Sequence, residues 1–391
     1  MSEPRKVALY HPWIYLRGGI ERTIVELVKR SRHDWTLFTS YYRPEDTFPE
    51  FSEFNVIQLA GVSVTRNVWS VATACLKLLV TDPGLKSYDA LMISCEGIGN
   101  LLTFRVSGMP LLCLCHTPLK VAYDPHHRER WLKMHHPGLP TRAGVRLFTL
   151  VDRLTWRRYA RIFCTGHEVE SRLLSAGLVR PEQIEIAHPG VDTDQLKPTG
   201  RREPFFLWLG RIKWWKNPEL GLDAFDEFRR RGGAGMRLVV AGVVDDSSRE
   251  YFQQLKQRYD RPDVEFVCPP GDEELHDLLD RSTAVLCTTP NEDWGIVPLE
   301  AMSFGKPVIA VGRGGPTETV VHGETGFLCA ESPGAFAEAM AKLACDPGLQ
   351  EQMSVAARER SERYHWRHFV ETIDAYVDTI APRATLHPLK G

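Results

Sequence analysis

The stretch TTPNEDWGIVPLEAMSFGKPVIAVGRGGPTE, residues 288–318, leaves this chain few folds to choose from. An apolar, β-branched run from Thr283 to Thr288 stops at Pro290 and Asn291, and Gly295 then opens an amphipathic segment with Pro298 near its first turn. That order reads as strand, tight loop, helix. Glu292 and Glu300 lie on either side of the junction, one in the loop and the other near the helix start, so both carboxylates can face one ligand. The helix N-terminus adds the unpaired N–H groups of Gly295, Ile296 and Val297 and the positive end of a dipole. Such a corner suits a ligand carrying phosphate and hydroxyl groups, and glycine lets the backbone approach it closely.

Strand and helix alternate through the rest of the chain. Strands are predicted at Lys6–Tyr10, Trp35–Thr39, Val56–Leu59, Ala90–Cys95, Pro110–Cys115, Ile162–Thr165 and Gln183–His188, with a helix from Asn67. RGGIERTIVELVKR reads as a loop and helix with Ile20, Ile24, Leu27 and Val28 at helical spacing. This is the pattern of a parallel α/β domain. A Pro-, Gly- and polar-rich stretch, PGVDTDQLKPTGRREP, marks a linker. A second series then begins with FFLWLG and continues through RLVVAG and VEFV to helices at Pro333–Cys345 and Leu349–Tyr364 and a final helix from Trp366. With 391 residues, 43% of them hydrophobic, the chain can bury two cores of roughly 150 to 200 residues each. The boundaries predicted are 1–188, 189–365 and a terminal segment 366–391.

A net charge of -2 argues against general nucleic-acid binding. Nine cysteines, mostly in apolar runs (Cys95, Cys113, Cys115, Cys164, Cys287), lack paired metal spacing and read as buried thiols in a reducing compartment. The N-terminus lacks an apolar signal region, and the apolar stretch Val68–Val80 is too short to span a bilayer, so a cytoplasmic protein is expected.

Several residues stand where chemistry is expected. Gly18 and Gly19, between a strand and a helix, either form a tight turn or bring N–H groups to a pyrophosphate. His116 follows the strand LLCLC directly, at the carboxyl end of a parallel sheet where ligands bind, or it is a hydrogen-bonded core histidine. Arg211 and Lys216 leave the strand FFLWLG before a helix over 218–230, a planar fork and a point charge fit to clamp a diphosphate. Trp214 and Trp215 lie between them and either pack or stack.

Other patterns point away from function. EGIGNLL imitates a dinucleotide fingerprint but carries Leu102 where the third glycine belongs and lacks an acidic partner. His126, His127, His135 and His136 do not share a helical face as metal ligands at i, i+4 would. Asp192 and Asp194 spell DxD in a linker and are read as a decoy, so no metal site is expected. From Arg128 to Arg161 nine Lys and Arg stand against two acids, a local +7, with Arg146, Arg153, Arg157 and Arg161 as a stripe on a helix expected over Ala143–Ala160. That stripe is either a solvated face or a contact for anionic lipid headgroups or an acceptor pyrophosphate.

Glu292 and Glu300 within EDWGIVPLEAMSFGKPVIA, with GGPTETVVHGETGFL downstream, resemble the motif of the retaining glycosyltransferases of family 4. GIVPLEA followed by VIAVGRGGPTE is most similar to the α-mannosyltransferases of lipid-linked oligosaccharide and O-antigen assembly. The resemblance implies the GT-B fold, two Rossmann-like parallel-sheet domains facing across a cleft with the last helix crossing back to the first. It implies hexose transfer with retention from a nucleoside diphosphate sugar, GDP-mannose in the first place and a UDP-sugar as the alternative, with neither cofactor nor metal. The acceptor is a glycan, a glycolipid or a small molecule, and contact with a membrane through Arg128–Arg161 is peripheral. It also assigns roles. Gly18 and Gly19 would meet the donor phosphates, Arg211 and Lys216 the diphosphate, His116 and Glu292 the sugar, and Glu300 the ribose. Val267 with Cys268 would hold the base by its backbone, and Trp294, Gly295, Ile296 and Val297 would line the donor. A GVD segment marks the family's crossover, where Asp192 stands here. Two rivals are a nucleotide-sugar 2-epimerase of the same fold and a non-catalytic sugar-nucleotide-binding protein.

Overall fold

The computed structural model describes residues 3–59, 61, 68–95, 97–194, 196 and 198–382. Asn67, Glu96 of the glycine-rich decoy, the side chain of Cys95, Gln195 and Lys197 of the linker, and the terminal segment from 383 on lie outside the described residues. The chain divides into two units. One runs to Pro189 and takes in the chain again from Trp366, and the other spans Gly190–His365.

The first unit is built on a sheet of seven strands: β1 Lys6–Tyr10, β2 Asp34–Thr39, β3 Val56–Gln58, β4 Ala90–Cys95, β5 Leu111–Cys115, β6 Arg161–Cys164 and β7 Ile184–Ile186. All pair in parallel, in the order β3-β2-β1-β4-β5-β6-β7. Parallel strands need long crossovers, and the connecting helices cover both faces. Hence the central strands β1, β4 and β5 read as near-continuous apolar runs, and every residue of LLCLC is buried. The order reverses between β1 and β4, so a crevice opens at the carboxyl ends of those strands.

Helix Gly19–Arg30 buries Ile24 and Leu27, as the periodicity predicts, but also Val25 and Glu26. The cause is distant in sequence, because the last helix, Trp366–Asp378, packs against this one. Its buried Asp374 accepts from Ser31 Oγ (2.5 Å) and the Arg32 N–H (3.1 Å), Arg32 also pairs with Asp378, and Arg5 Nε donates to the Ile380 carbonyl (2.7 Å).

The helix expected over Ala143–Ala160 runs instead from Leu139 to Trp156, with Pro140 in its first turn. Arg161 therefore does not belong to the stripe. It opens β6, where its guanidinium lies 4.8 Å from the Tyr376 ring centre and 3.7 Å from Glu185. The glycine-rich decoy leads into a 3₁₀ stretch, Ile98–Arg105, buried as far as Thr103, and not into a phosphate loop opening an α-helix.

The second unit holds six parallel strands: β8 Phe205–Leu209, β9 Arg237–Ala241, β10 Val264–Val267, β11 Ala284–Cys287, β12 Val308–Val311 and β13 Gly326–Cys329. Their order is β10-β9-β8-β11-β12-β13, reversing between β8 and β11. Alternate residues of β8 serve two cores: Phe206 and Trp208 join Phe225 and Phe336 on one face, while Phe205 and Leu207 join Leu299 and Met302 on the other. Among the described side chains every cysteine is a free thiol, and no helix is long and apolar enough to cross a membrane.

Candidate active site

In the second unit Arg211 follows β8 and Glu292 follows β11, the two strands between which the sheet order reverses, so the topology brings them to the same crevice. Two hydrogen bonds fix the ground beneath them. The Trp208 indole donates to Thr288 Oγ (2.7 Å), and Thr288 Oγ donates to the Lys216 carbonyl (3.0 Å), which ties the end of β11 to the turn Trp214–Lys216. Trp214 and Trp215 pack edge to face, with ring centres 5.5 Å apart. Lys213 is buried and paired with Asp245 (2.5 Å), so its charge is structural.

Lys216 Nζ donates to Glu292 Oε2, and both side chains are about four-fifths buried. The sequence reading gave one to the phosphates and the other to the sugar; in the structure the two are paired with each other. Arg211 is half-buried and, among the described residues, has no ion-pair partner. The site therefore keeps a guanidinium for an incoming anion and a cation and carboxylate held in mutual register. Cys287 lies close by at the end of β11. Burial pushes its thiol well above the ordinary range, Glu292 and Glu300 add to this while Lys216 opposes, and the group stays neutral.

The Glu292 loop is buttressed by Gly314 and Gly315. The Gly315 N–H donates to the Glu292 carbonyl (2.8 Å), and Gly314 holds a φ of 72°. A Cβ on Gly314 would lie 2.3 Å from the Glu292 carbonyl oxygen, and one on Gly315 would lie 2.2 Å from that of Trp294. No side chain fits at either place, and this is the physical reason for the glycine pair that sequence reading registered only as part of a motif.

Trp294 turns its ring into the core, 5.4 Å from the Tyr364 ring and almost wholly buried. The Trp294 side chain is thus part of the core packing. Gly295, with φ 83°, is the N-cap of helix Ile296–Ser303, so the N–H groups of Ile296 and Val297 open the first turn and half-buried Glu300 lies one turn along. Val267 ends β10, and its carbonyl accepts from the Gly242 N–H (3.2 Å).

In the first unit Gly18 is the N-cap of helix Gly19–Arg30. A Cβ on Gly18 would lie 2.6 Å from a carboxylate oxygen of Glu21, which is buried in the first helical turn. That acid occupies part of the positive end of the helix, a feature the glycine pair gave no hint of. His116 lies just past β5 and is buried, with no hydrogen-bond partner at Nε2. Burial first, and then the nearby His11, push its pKa down to about 3, so the imidazole is neutral. A buried ring nitrogen without a partner is costly in a finished core and ordinary in a site awaiting a ligand. His11, at the end of β1, holds Ser94 Oγ of β4 through Nδ1 at 3.0 Å. Sequence reasoning missed His11, because nothing local marks it.

A two-domain glycosyltransferase of the GT-B class is what these sheets, switch points and charged corner define. Residues 17–195 match the family model described as glycosyltransferase family 4, and residues 193–360 match the one described as glycosyl transferases group 1. The chain belongs to the family-4 glycosyltransferases and is a hexosyltransferase. It is 37% identical to the human α-1,3/1,6-mannosyltransferase ALG2 over 415 residues, covering 96% of each chain. The ALG2 of Dictyostelium discoideum is 34% identical, over 95% of this chain and 97% of its own. The solved structure of Anabaena HepE with UDP and glucose superposes over 96% of this chain and 100% of its own, with a TM-score of 0.74 at 18% identity, which supports the fold.

Proposed function

We propose that this enzyme moves mannose from GDP-mannose to a hydroxyl of a lipid-linked glycan, with retention of configuration and without a metal ion. The observation that carries the reading is the corner at the β8–β11 switch point, where Arg211, the Lys216–Glu292 pair and the N-terminus of helix Ile296–Ser303 follow neighbouring strands. The choice of mannose rests on 37% identity to a mannosyltransferase over almost the whole chain.

The barrier in such a transfer is departure of the diphosphate. Arg211, Lys216 and the N–H groups of Gly295, Ile296 and Val297 supply fixed positive potential where that charge develops, which is the task a metal performs elsewhere. The family resemblance assigns donor phosphates to Gly18 and Gly19 as well, and the base to the main chain of Val267 and Cys268. Glu300 accepts from the ribose hydroxyls, while Glu292, steadied by Lys216, accepts from the sugar. The family resemblance assigns the sugar to His116, whose buried imidazole is neutral at every physiological pH. The bond from the anomeric carbon to phosphate breaks as the acceptor oxygen bonds on the same face, and the leaving phosphate takes the acceptor's proton.

The acceptor's source is read from helix Leu139–Trp156. Leu139, Leu147, Leu150 and Leu154 are each more than half exposed, and Arg146 and Arg153, with Arg157 just past the helix end, run along the adjacent flank. Arg128 and Arg158 are spent on backbone carbonyls, so the surface is narrower than the +7 segment. Leucines beside arginines suit the boundary between acyl chains and anionic headgroups on the cytoplasmic face of a membrane. Calorimetry with GDP-mannose, UDP-glucose, UDP-N-acetylglucosamine, GDP and UDP tests the donor. GDP-mannose is expected to bind most tightly; tighter binding of either UDP-sugar would overturn the choice.

A further inference from the structure

The chain enters the second unit at Gly190 and leaves it after His365, and these two passages are joined side by side. Val191 and His365 form a parallel bridge, and the Val191 N–H donates to the Tyr364 carbonyl (2.8 Å). The bridge aims the imidazole of His365 at the two carboxylates of the DxD sequence. His365 Nε2 lies 3.6 Å from Asp192 Oδ1 and 3.4 Å from Asp194 Oδ2, and the three ligand atoms all fall within 4.8 Å of one another. The sequence reading dismissed Asp192 and Asp194 because they stand in a linker and not at the end of a strand; the third member, some 170 residues away, is invisible locally.

These separations are longer than hydrogen bonds between nitrogen and a carboxylate oxygen. They match another arrangement. In a tetrahedral zinc site with bonds of about 2.1 Å, two ligand atoms stand about 3.4 Å apart. One imidazole and two carboxylates form a recognised donor set for a divalent transition metal, with the fourth position left to water. His365 is buried, Asp192 is partly buried and Asp194 is exposed, so the corner has a fixed inner wall and an open outer side through which an ion enters. The wall is firm: Arg358 donates to the Thr193 carbonyl (2.7 Å), between the two aspartates.

We propose that Asp192, Asp194 and His365 bind one divalent transition-metal ion of the zinc class, which clips the entering and leaving passages of the second unit together. The ion is structural, and transfer proceeds without it. Its effect reaches one residue further, since Tyr364 packs on Trp294 and donates from its hydroxyl to the Glu318 carbonyl (2.9 Å). The clip thus steadies the wall behind the donor loop.

Cobalt(II) and zinc(II) titrations of the intact enzyme test this. Cobalt is expected to give the visible absorption of a tetrahedral site, displaced by one equivalent of zinc, and zinc is expected to raise Tm by about 2 °C or more. Asp194→Asn, at an exposed side chain that folding does not need, is expected to weaken zinc binding at least about tenfold, and His365→Gln to abolish that one site. Any zinc held by other histidines would be unchanged in both. Identical cobalt spectra and zinc isotherms in the wild type and both variants would overturn the proposal and leave the trio an ion pair. EDTA-treated enzyme that has lost the zinc-dependent increment in Tm but keeps full turnover is the expected pairing. Loss of turnover on EDTA treatment, restored by zinc, would overturn the structural role.

Discussion

At the scale of single residues, the account turns on where charge is left uncommitted. Lys216 is held by Glu292, whereas Arg211 has no ion-pair partner among the described residues, so the two cations of the clamp differ in kind. Charge-assisted hydrogen bonds to a buried diphosphate contribute about 1.5 to 3 kcal/mol each. Arg211→Ala and Lys216→Ala are each expected to lower kcat/KM on the order of 100-fold, with far-UV circular dichroism unchanged. Lys216→Ala also strands the Glu292 carboxylate, so adding Glu292→Gln to it is expected to recover stability but not activity. Near-normal rates in either single variant would remove that residue from the mechanism.

His116 makes a prediction of the opposite kind, on stability. Its pKa falls from 6.5 to about 3 on folding, so the unfolded chain takes up the proton first. The stability this group supports is therefore complete above pH 6.5 and is lost progressively as pH falls towards about 3. Urea unfolding of the wild type and of His116→Gln across that window is expected to show the wild type losing stability more steeply. A difference between the two proteins that does not change with pH would contradict the buried, neutral imidazole.

At the scale of elements, the donor loop depends on a segment that follows it in the chain. Gly315→Ala would place its Cβ 2.2 Å from the Trp294 carbonyl oxygen, so the loop has to move. Donor affinity is expected to fall at least about tenfold, with a stability loss of about 1 to 3 kcal/mol. Gly144→Ala, in an exposed helix with nothing within 4 Å, is the control and is expected to leave both unchanged or slightly improved. Calorimetry and thermal melts on the two variants read the difference. For helix Leu139–Trp156 the measurement is co-sedimentation with anionic and neutral liposomes at low and high salt. Each arginine near an anionic surface contributes about 1 kcal/mol and is screened by salt. Binding is expected on anionic vesicles at low salt and is expected to be lost in Leu147→Asp with Leu150→Asp; equal, negligible pelleting in every condition would remove the docking surface.

What the sequence shows and what it hides divide along the same line. The strands that were read lay within a residue or two, because a parallel strand covered on both faces must be a short apolar run, and FFLWL and LLCLC can be little else, whereas β12 and β13 were not read as strands. Helix limits were harder. The arginine spacing carried the stripe past Trp156 to Arg161, although strand pairing with Ile184 had already claimed the β6 residues. What stayed hidden is contact between distant residues: Glu292 with Lys216, Gly315 under Trp294, Asp374 against Ser31, and His365 beside Asp192. None of these leaves a local period or composition to read, whereas the strand–loop–helix corner at Gly295 is local and was read from the chain alone.

At the scale of the whole molecule, the family extends over nearly the full chain, and the proposed chemistry is argued chiefly from one corner of the second unit. Incubation of the EDTA-treated enzyme with GDP-mannose and a lipid-linked, mannose-terminated acceptor in anionic vesicles, with NMR of the product's anomeric carbon, addresses donor, metal and stereochemistry together. The account predicts a single added mannose in the α configuration of the donor, at the rate seen with metal present. A β-linked product, or transfer that appears only when a divalent ion is restored, would contradict it.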